Sequence, residues 1–247
     1  MAKRRGWRAA AGRRMLLVIF TSAACAASAA DPSQYSEAER QLFVRPHLAT
    51  VTPPVRLHYR YQRSGTLEPE ISDQAVLSVA QKDGARTVAV DYLSAERKLE
   101  LPDAGEVQGN PIILYFLERE VRELKRHTGG SVGFYRSRIR KALAEHATVR
   151  QTEVDYGGKR VKAVEIRIDP YIDDPARSRF EKFADRYYVM VLSPEIPGEV
   201  YQLKAELPAP VRRQTSSGQA SGEASGQVTG DVLHAEVLTF KGQEPGQ

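Results

Sequence analysis

Residues able to do chemistry are few in this chain and widely spaced. The five histidines stand at positions 47, 58, 127, 146 and 234, and no two have the spacing that sets a zinc pair on one helix face. Each reads as a surface or strand residue, with His127 close to a helix C-terminus, where a cation is favoured. Cys25 is the only cysteine. The sequence therefore predicts no metal site and no cofactor, and it contains no Ser-x-x-Lys, phosphate loop or dinucleotide fingerprint. Asp169, Asp173 and Asp174, near Tyr171, form one acidic cluster, but it lacks the glycine and closing glutamate of a calcium loop. A helix cap at Asp173 or Asp174 accounts for it better. Gly129-Gly130-Ser131-Val132-Gly133 could cradle an anion at a helix start, but reads more simply as the turn between two helices. One charged face remains: Arg136, Arg138, Arg140 and Lys141 along a helix. Such a face is usually solvated, and in a cell-envelope protein it also suits anionic headgroups or an acidic partner. No catalytic residue is assigned.

The strongest compartment signal lies at the start. Lys3, Arg4, Arg5, Arg8, Arg13 and Arg14 precede the apolar run Met15–Phe20, and small residues from Thr21 to Ala30 follow. Positive, apolar, then small is the order of an export signal, here residues 1–30, and the apolar run is far short of the roughly 20 residues that span a bilayer. Ser22-Ala23-Ala24-Cys25 resembles a lipoprotein signal that would put lipid on Cys25, whereas ordinary cleavage would fall near Ala29 or Ala30. Arg13-Arg14 also resembles a twin-arginine signal. The expectation is a periplasmic protein. The whole chain carries +5, with 36 basic and 31 acidic residues, and six of the basic ones belong to the leader. That leaves 30 against 31, so bulk charge does not support a nucleic-acid partner.

The elements that must position these residues follow from periodicity. Residues 31–54 are a lead-in with a capping box at Ser36–Glu39. A single domain over 55–212 follows. Val55, Leu57, Tyr59 and Tyr61 alternate with Arg56, His58, Arg60 and Gln62, a strand with one apolar face. Further strands cover about 74–81 and 87–93, with Val88, Val90 and Tyr92 on one face, and Lys98–Leu101 is a short one. Asn110 and Pro111 then start a helix with Leu114, Leu117, Val121 and Leu124 on one face and charges on the other. A second helix, with Val132, Tyr135, Ile139 and Leu143 inward, completes a hairpin over about 110–146. Two strands meet across Gly157-Gly158, a short helix carries Phe180, Phe183 and Ala184 inward, and strands cover 187–192 and 200–207. Tyr201, Leu203, Ala205 and Leu207 share a face of the latter. Residues 213–230 are Ser/Gly/Gln-rich and read as a flexible loop, since they cannot offset ordering entropy by burial. A final strand spans 231–240 and a tail 241–247. The fold class is α+β: a curved antiparallel sheet, like an unclosed barrel, with the helical hairpin and a further helix covering one face.

Val55-Arg56-Leu57-His58-Tyr59-Arg60-Tyr61, the segment Leu192-Ser193-Pro194-Glu195-Ile196-Pro197-Gly198-Glu199-Val200 and the ending Val237-Leu238-Thr239-Phe240 resemble the periplasmic lipoprotein-carrier (LolA/LolB-like) superfamily. The resemblance implies an unclosed barrel whose helices plug an apolar concave face that holds acyl chains. No ligand-binding residue of that family matches a position here. On this reading Tyr59, Tyr61, Leu114, Leu117, Val121, Tyr135 and Ile139 line the concave face of a non-catalytic binder of an acyl or lipid-like ligand. A ligand-free scaffold of an envelope complex and an envelope hydrolase are the alternatives. An apolar cavity under the helices favours the first, a solid interior the second, and a cleft with converging polar groups the third. The leader itself is testable by intact mass. The exported protein is expected to begin between Cys25 and Asp31, and a product retaining Met15–Phe20 contradicts the export reading.

Overall fold

The computed structural model describes residues 34–101, 109–210 and 232–246. The leader with Cys25, and the low-complexity segment 213–230, lie outside the described residues. Ser36 caps the first helical turn, α1 (Glu37–Glu39): its hydroxyl accepts from the Glu39 N–H while the Glu39 carboxylate accepts from the Ser36 N–H. The turn continues as a π-helix over Arg40–Val44.

Eight antiparallel strands form one sheet that does not close. They are β1 (Val55–Ser64), β2 (Ile71–Lys82), β3 (Ala85–Tyr92), β4 (Thr148–Tyr156), β5 (Lys159–Ile168), β6 (Tyr187–Leu192), β7 (Val200–Pro208) and β8 (Val232–Pro245). Their order is β3-β2-β1-β8-β7-β6-β5-β4, which places the last strand beside the first at the centre of the sheet. Two helices, α2 (Ile112–Thr128) and α3 (Val132–Glu145), pack with the sheet in one core. Val55, Leu57, Tyr59 and Tyr61 are all buried, so the period-two reading of β1 holds.

Four details depart from the sequence expectation. The last strand runs past Phe240 to Pro245, because Tyr59 pairs with Phe240 and His58 with Gly242; Lys241 is the extra residue of a bulge that lets pairing resume to Val55–Pro245. In β7, Val191 pairs with Gln202 and Leu192 with Val200, so Tyr201 is likewise a bulge residue and is only half-buried. Val88 is exposed and Val90 half-buried, since β3 is an edge strand and its far end is the hairpin tip. Lys98–Leu101 shrinks to a single bridge, Leu99 to Tyr92.

The start of α2 is fixed from three sides. The Asn110 side chain accepts from the Ile112 N–H, as a cap does, and donates to the Tyr59 hydroxyl at 3.1 Å and the Gly198 carbonyl at 2.8 Å. Gly198 has φ +73°, and a Cβ there would lie 2.7 Å from Leu57 Cδ1 and 3.0 Å from Asn110 Nδ2. Only glycine fits that backbone and that space. The helix ends at Gly129, φ 72°, which closes the last turn onto Lys125. Tyr59 thus packs in the core and anchors the helix. Truncating Tyr59 to Ala is expected to cost about 3 kcal/mol, against under about 1 for Arg60→Ala on the exposed face. Equal denaturant midpoints for the two variants would contradict this register.

Candidate functional site

The inner face of the sheet meets α2 along a row of charges that the sequence reading placed on the solvent side. Ile112, Ile113, Phe116, Leu117, Glu120, Val121 and Leu124 are buried, and so is Arg119, whereas Leu114 is half-buried. The buried stripe is therefore rotated towards Ile113, Phe116 and Glu120. From the sheet, β8 presents His234, Glu236, Leu238 and Phe240 in alternation, all buried. Arg186, which precedes β6, is in phase with Tyr188, Met190 and Leu192 and is fully buried too.

These groups satisfy one another. Arg119 donates to both oxygens of Glu236, at 3.2 and 3.3 Å, and to the Tyr61 hydroxyl at 3.2 Å, with its guanidinium 5.1 Å from the Tyr61 ring centre. Arg186 donates to Glu120 Oε2 through Nε at 2.8 Å and Nη2 at 2.5 Å, and through Nη1 to His234 Nδ1 at 3.0 Å. Glu120 Oε1 has no donor facing it. Burial pushes the Glu120 carboxyl well above its ordinary value, Arg186 opposes this, and the neighbouring Glu236 carboxylate reinforces it. Burial acts the same way on Glu236, but Arg119 and the hydrogen bond from Glu120 outweigh it and hold that group down to about 2. The two carboxyls thus move in opposite net directions, up for Glu120 and down for Glu236, because the arginine facing Glu236 outweighs its burial and the one facing Glu120 does not. Burial, with Arg186 adding to it, pushes the His234 imidazole down to about 4.

The expected lining residues come together in one buried core. Tyr59, Tyr61, Leu117, Val121, Tyr135 and Ile139 all belong to the buried core, and Leu114 sits at its margin. Tyr135 meets Tyr171 edge-on at 5.8 Å between ring centres; Tyr171 in turn meets Phe180 and Tyr188. Tyr59 meets Phe240 edge-on at 5.5 Å. Two open depressions of about 450 and 480 Å³ are lined by Val51, Pro54, Ile196 and Pro245, and by His58, Arg60, Asp73 and Lys241. Neither is lined by a residue of α2 or α3.

The basic face of α3 is largely engaged. Arg136 makes a bidentate pair with Glu118 of α2, Arg138 pairs with Asp174, and Lys141 lies 3.8 Å from Glu145; Arg140 is exposed. Asp174 also caps the following turn by accepting from the Ala176 N–H. Gly129–Gly133 spells the letters of a nucleophile elbow, but Ser131 joins two helices and caps α3 by accepting from the Phe134 N–H. An elbow needs a strand before the serine, so this serine is structural. The histidines, far apart in sequence, do meet: His127 at the end of α2 and His234 of β8 both face Glu68, from the loop after β1, at 3.6 and 3.2 Å.

No protein-family model and no curated protein matches the chain. Among solved structures, lipoprotein LppX of Mycobacterium tuberculosis is similar at 12% identity and a TM-score of 0.29, over 75% of this chain and 84% of that one. A LolA superfamily protein from Nitrosomonas europaea is similar at 8% identity and a TM-score of 0.21, over 79% of this chain and 88% of that one. Scores this low say nothing about a shared ligand.

The buried charges make opposite predictions for pH. Folded Glu120 keeps its proton above the value of 4.5 that the unfolded chain has, so its contribution to stability fades as pH rises from there. Glu120→Gln, which mimics the protonated acid, is expected to gain stability relative to the parent between about pH 5 and 8. Folded His234 binds its proton only near pH 4, so its contribution is complete above 6.5 and is lost as pH falls between the two values. His234→Gln removes that dependence. Urea unfolding across this range checks both, and a Glu120→Gln difference independent of pH would mean that Glu120 is ionised in the fold.

Proposed function

We propose that this chain is a non-catalytic protein of the bacterial cell envelope that binds an acyl or lipid-like ligand between the α2–α3 hairpin and the inner face of the sheet. The observation that carries this reading is the nature of the seam. The hairpin covers one face of an open antiparallel sheet, and the middle of α2 is held there by charged groups, Arg119 on Glu236 and Glu120 on Arg186. A buried ion pair adds little net stability, because water solvates the separated charges well. An interface built this way separates at a lower free-energy cost than a purely apolar one of equal area, where each Å² exposed costs about 25 cal/mol.

Ligand entry then requires the hairpin to lift, since Tyr59, Tyr61, Leu117, Val121, Tyr135 and Ile139 fill the space beneath it. The same residues supply the apolar walls of the opened face, with Leu114 at the rim. The basic-apolar-small order of residues 1–30 supports export to the periplasm, and no helix among the described residues is long and apolar enough to cross a membrane. Exposed Arg140, beside Arg136 and Lys141, suits a passing contact with anionic headgroups. The filled interior favours a second reading, a ligand-free scaffold or assembly partner in an envelope complex.

Mobility separates the two, because a cover that opens belongs to the least stable part of a structure. Amides from Leu114 to Leu143 are expected to exchange faster than those of β1 and β8, and to slow when a long-chain fatty acid or lysophospholipid is added. Organic extraction of the purified native protein is expected to release lipid detectable by mass spectrometry. Hairpin exchange as slow as the sheet, unresponsive to lipid, would establish the scaffold reading instead.

A further inference from the structure

At the C-terminal end of α2, three side chains converge on one cationic atom. Arg126 Nη2 lies 2.6 Å from Glu68 Oε1 and 2.9 Å from His127 Nε2, and it also contacts Glu123 Oε2. A guanidinium nitrogen of this kind carries two protons for three acceptors, so one acceptor is always left over. The three acceptors are sheltered, with 14–15% of each side chain exposed, whereas Arg126 is half exposed on a flexible stem. Glu123 and His127 stand one turn apart on the same face of the helix, their ligand atoms 3.8 Å apart, and His127 Nε2 is 3.6 Å from Glu68 Oε2. A tetrahedral zinc ion with bonds of about 2.1 Å holds its ligand atoms about 3.4 Å apart, close to both of these separations from His127.

We propose that Glu68, Glu123 and His127 form a binding site for a divalent transition cation of the zinc class, which displaces the Arg126 side chain into solvent. Two carboxylates and one imidazole leave the fourth position of such an ion to water. His234 is a positioning residue in this arrangement. Its Nδ1 accepts from Arg186, which leaves the proton on Nε2, and that N–H donates to Glu68 Oε2 at 3.2 Å. Arg63, 3.2 Å from the same oxygen, completes the orientation of Glu68. Phe183 stacks on the His127 ring at 4.9 Å and fixes its plane. The ion would join the end of α2 to the loop between β1 and β2, with β8 behind it.

Calorimetric titration of the untagged, metal-free full chain with Zn²⁺ tests the site, with melting temperature followed in parallel. Binding is expected in the micromolar range or tighter, with a rise in melting temperature on saturation. Arg126→Ala is expected to bind more than about tenfold tighter, because a unit charge a few Å from the ion is worth kilocalories at the effective dielectric of a protein surface. Glu123→Gln and His127→Gln are expected to abolish binding, and His234→Ala to weaken it by on the order of 10- to 100-fold. Arg126→Ala leaves all three ligands in place, so it reads the site even if a ligand variant folds poorly. No heat and no change in melting temperature with the parent chain, or affinity unchanged by both Glu123→Gln and His127→Gln, would overturn the proposal.

Discussion

The structure depends on keeping two arginines and two glutamates paired where a helix crosses a sheet. Arg119, Glu120, Arg186 and Glu236 are all removed from water. Arg119 left without the Glu236 carboxylate would carry a penalty of several kcal/mol, larger than the net contribution of most single contacts. Once Arg119 faces Glu236 and Arg186 faces Glu120, α2 has little freedom to slide or rotate over the sheet. The two pairs come from three places: Arg119 and Glu120 from adjacent positions on α2, Glu236 from β8, and Arg186 from the entry to β6. They set one helical turn against two regions of the sheet.

That constraint also explains why the interior is aromatic and solid. Tyr61 takes a hydrogen bond from Arg119, and Tyr59 takes one from Asn110 at the helix start. Each tyrosine supplies apolar area together with a polar tip that needs a partner. On the inner face Tyr59 and Tyr61 direct their hydroxyls at Asn110 and Arg119, those of Tyr171 and Tyr188 face each other at 3.3 Å, and β8 supplies Leu238 and Phe240. Burial raises the Glu120 carboxyl while Arg119 holds the Glu236 carboxyl down, so the two buried acids are not driven to ionise together. Ionised together, two like charges would face each other at low effective dielectric.

The same end of the molecule combines order and adaptability. Glu68, Glu123 and His127 surround a cation that is itself half exposed, while His234 and Arg186 behind them are fully buried. Acceptors anchored from the inside, with an exposed cation outside, make a position where one positive group can replace another. The α2–α3 hairpin is tied to the rest of the chain there by polar contacts and at its start by Asn110 and Gly198. Between the two lie the Arg119–Glu236 and Glu120–Arg186 contacts and the apolar residues around them.

Much of the fold was legible in the sequence because backbone periodicity is a local property. The alternation of Val55, Leu57, Tyr59 and Tyr61, the helical hairpin over 110–146, the capping box at Ser36 and the glycine turns at 129 and 157 need only neighbouring residues to be recognised. By itself the sequence determined an α+β protein with an antiparallel sheet. The phase of the buried charges was also written there: Glu236 stands in register with Leu238 and Phe240, and Glu120 lies four residues from Phe116 and from Leu124. It went unread because a charged residue in phase with an apolar stripe becomes a core residue only if a counter-charge waits opposite. What only the tertiary structure decided is which distant residues meet. Glu68 with His127 and His234, Arg186 with Glu120, and the return of β8 to the side of β1 all cross tens to hundreds of residues. Those pairings follow from strand order and helix placement, where opposite charges removed from water must find one another in space, and no local spacing encodes them.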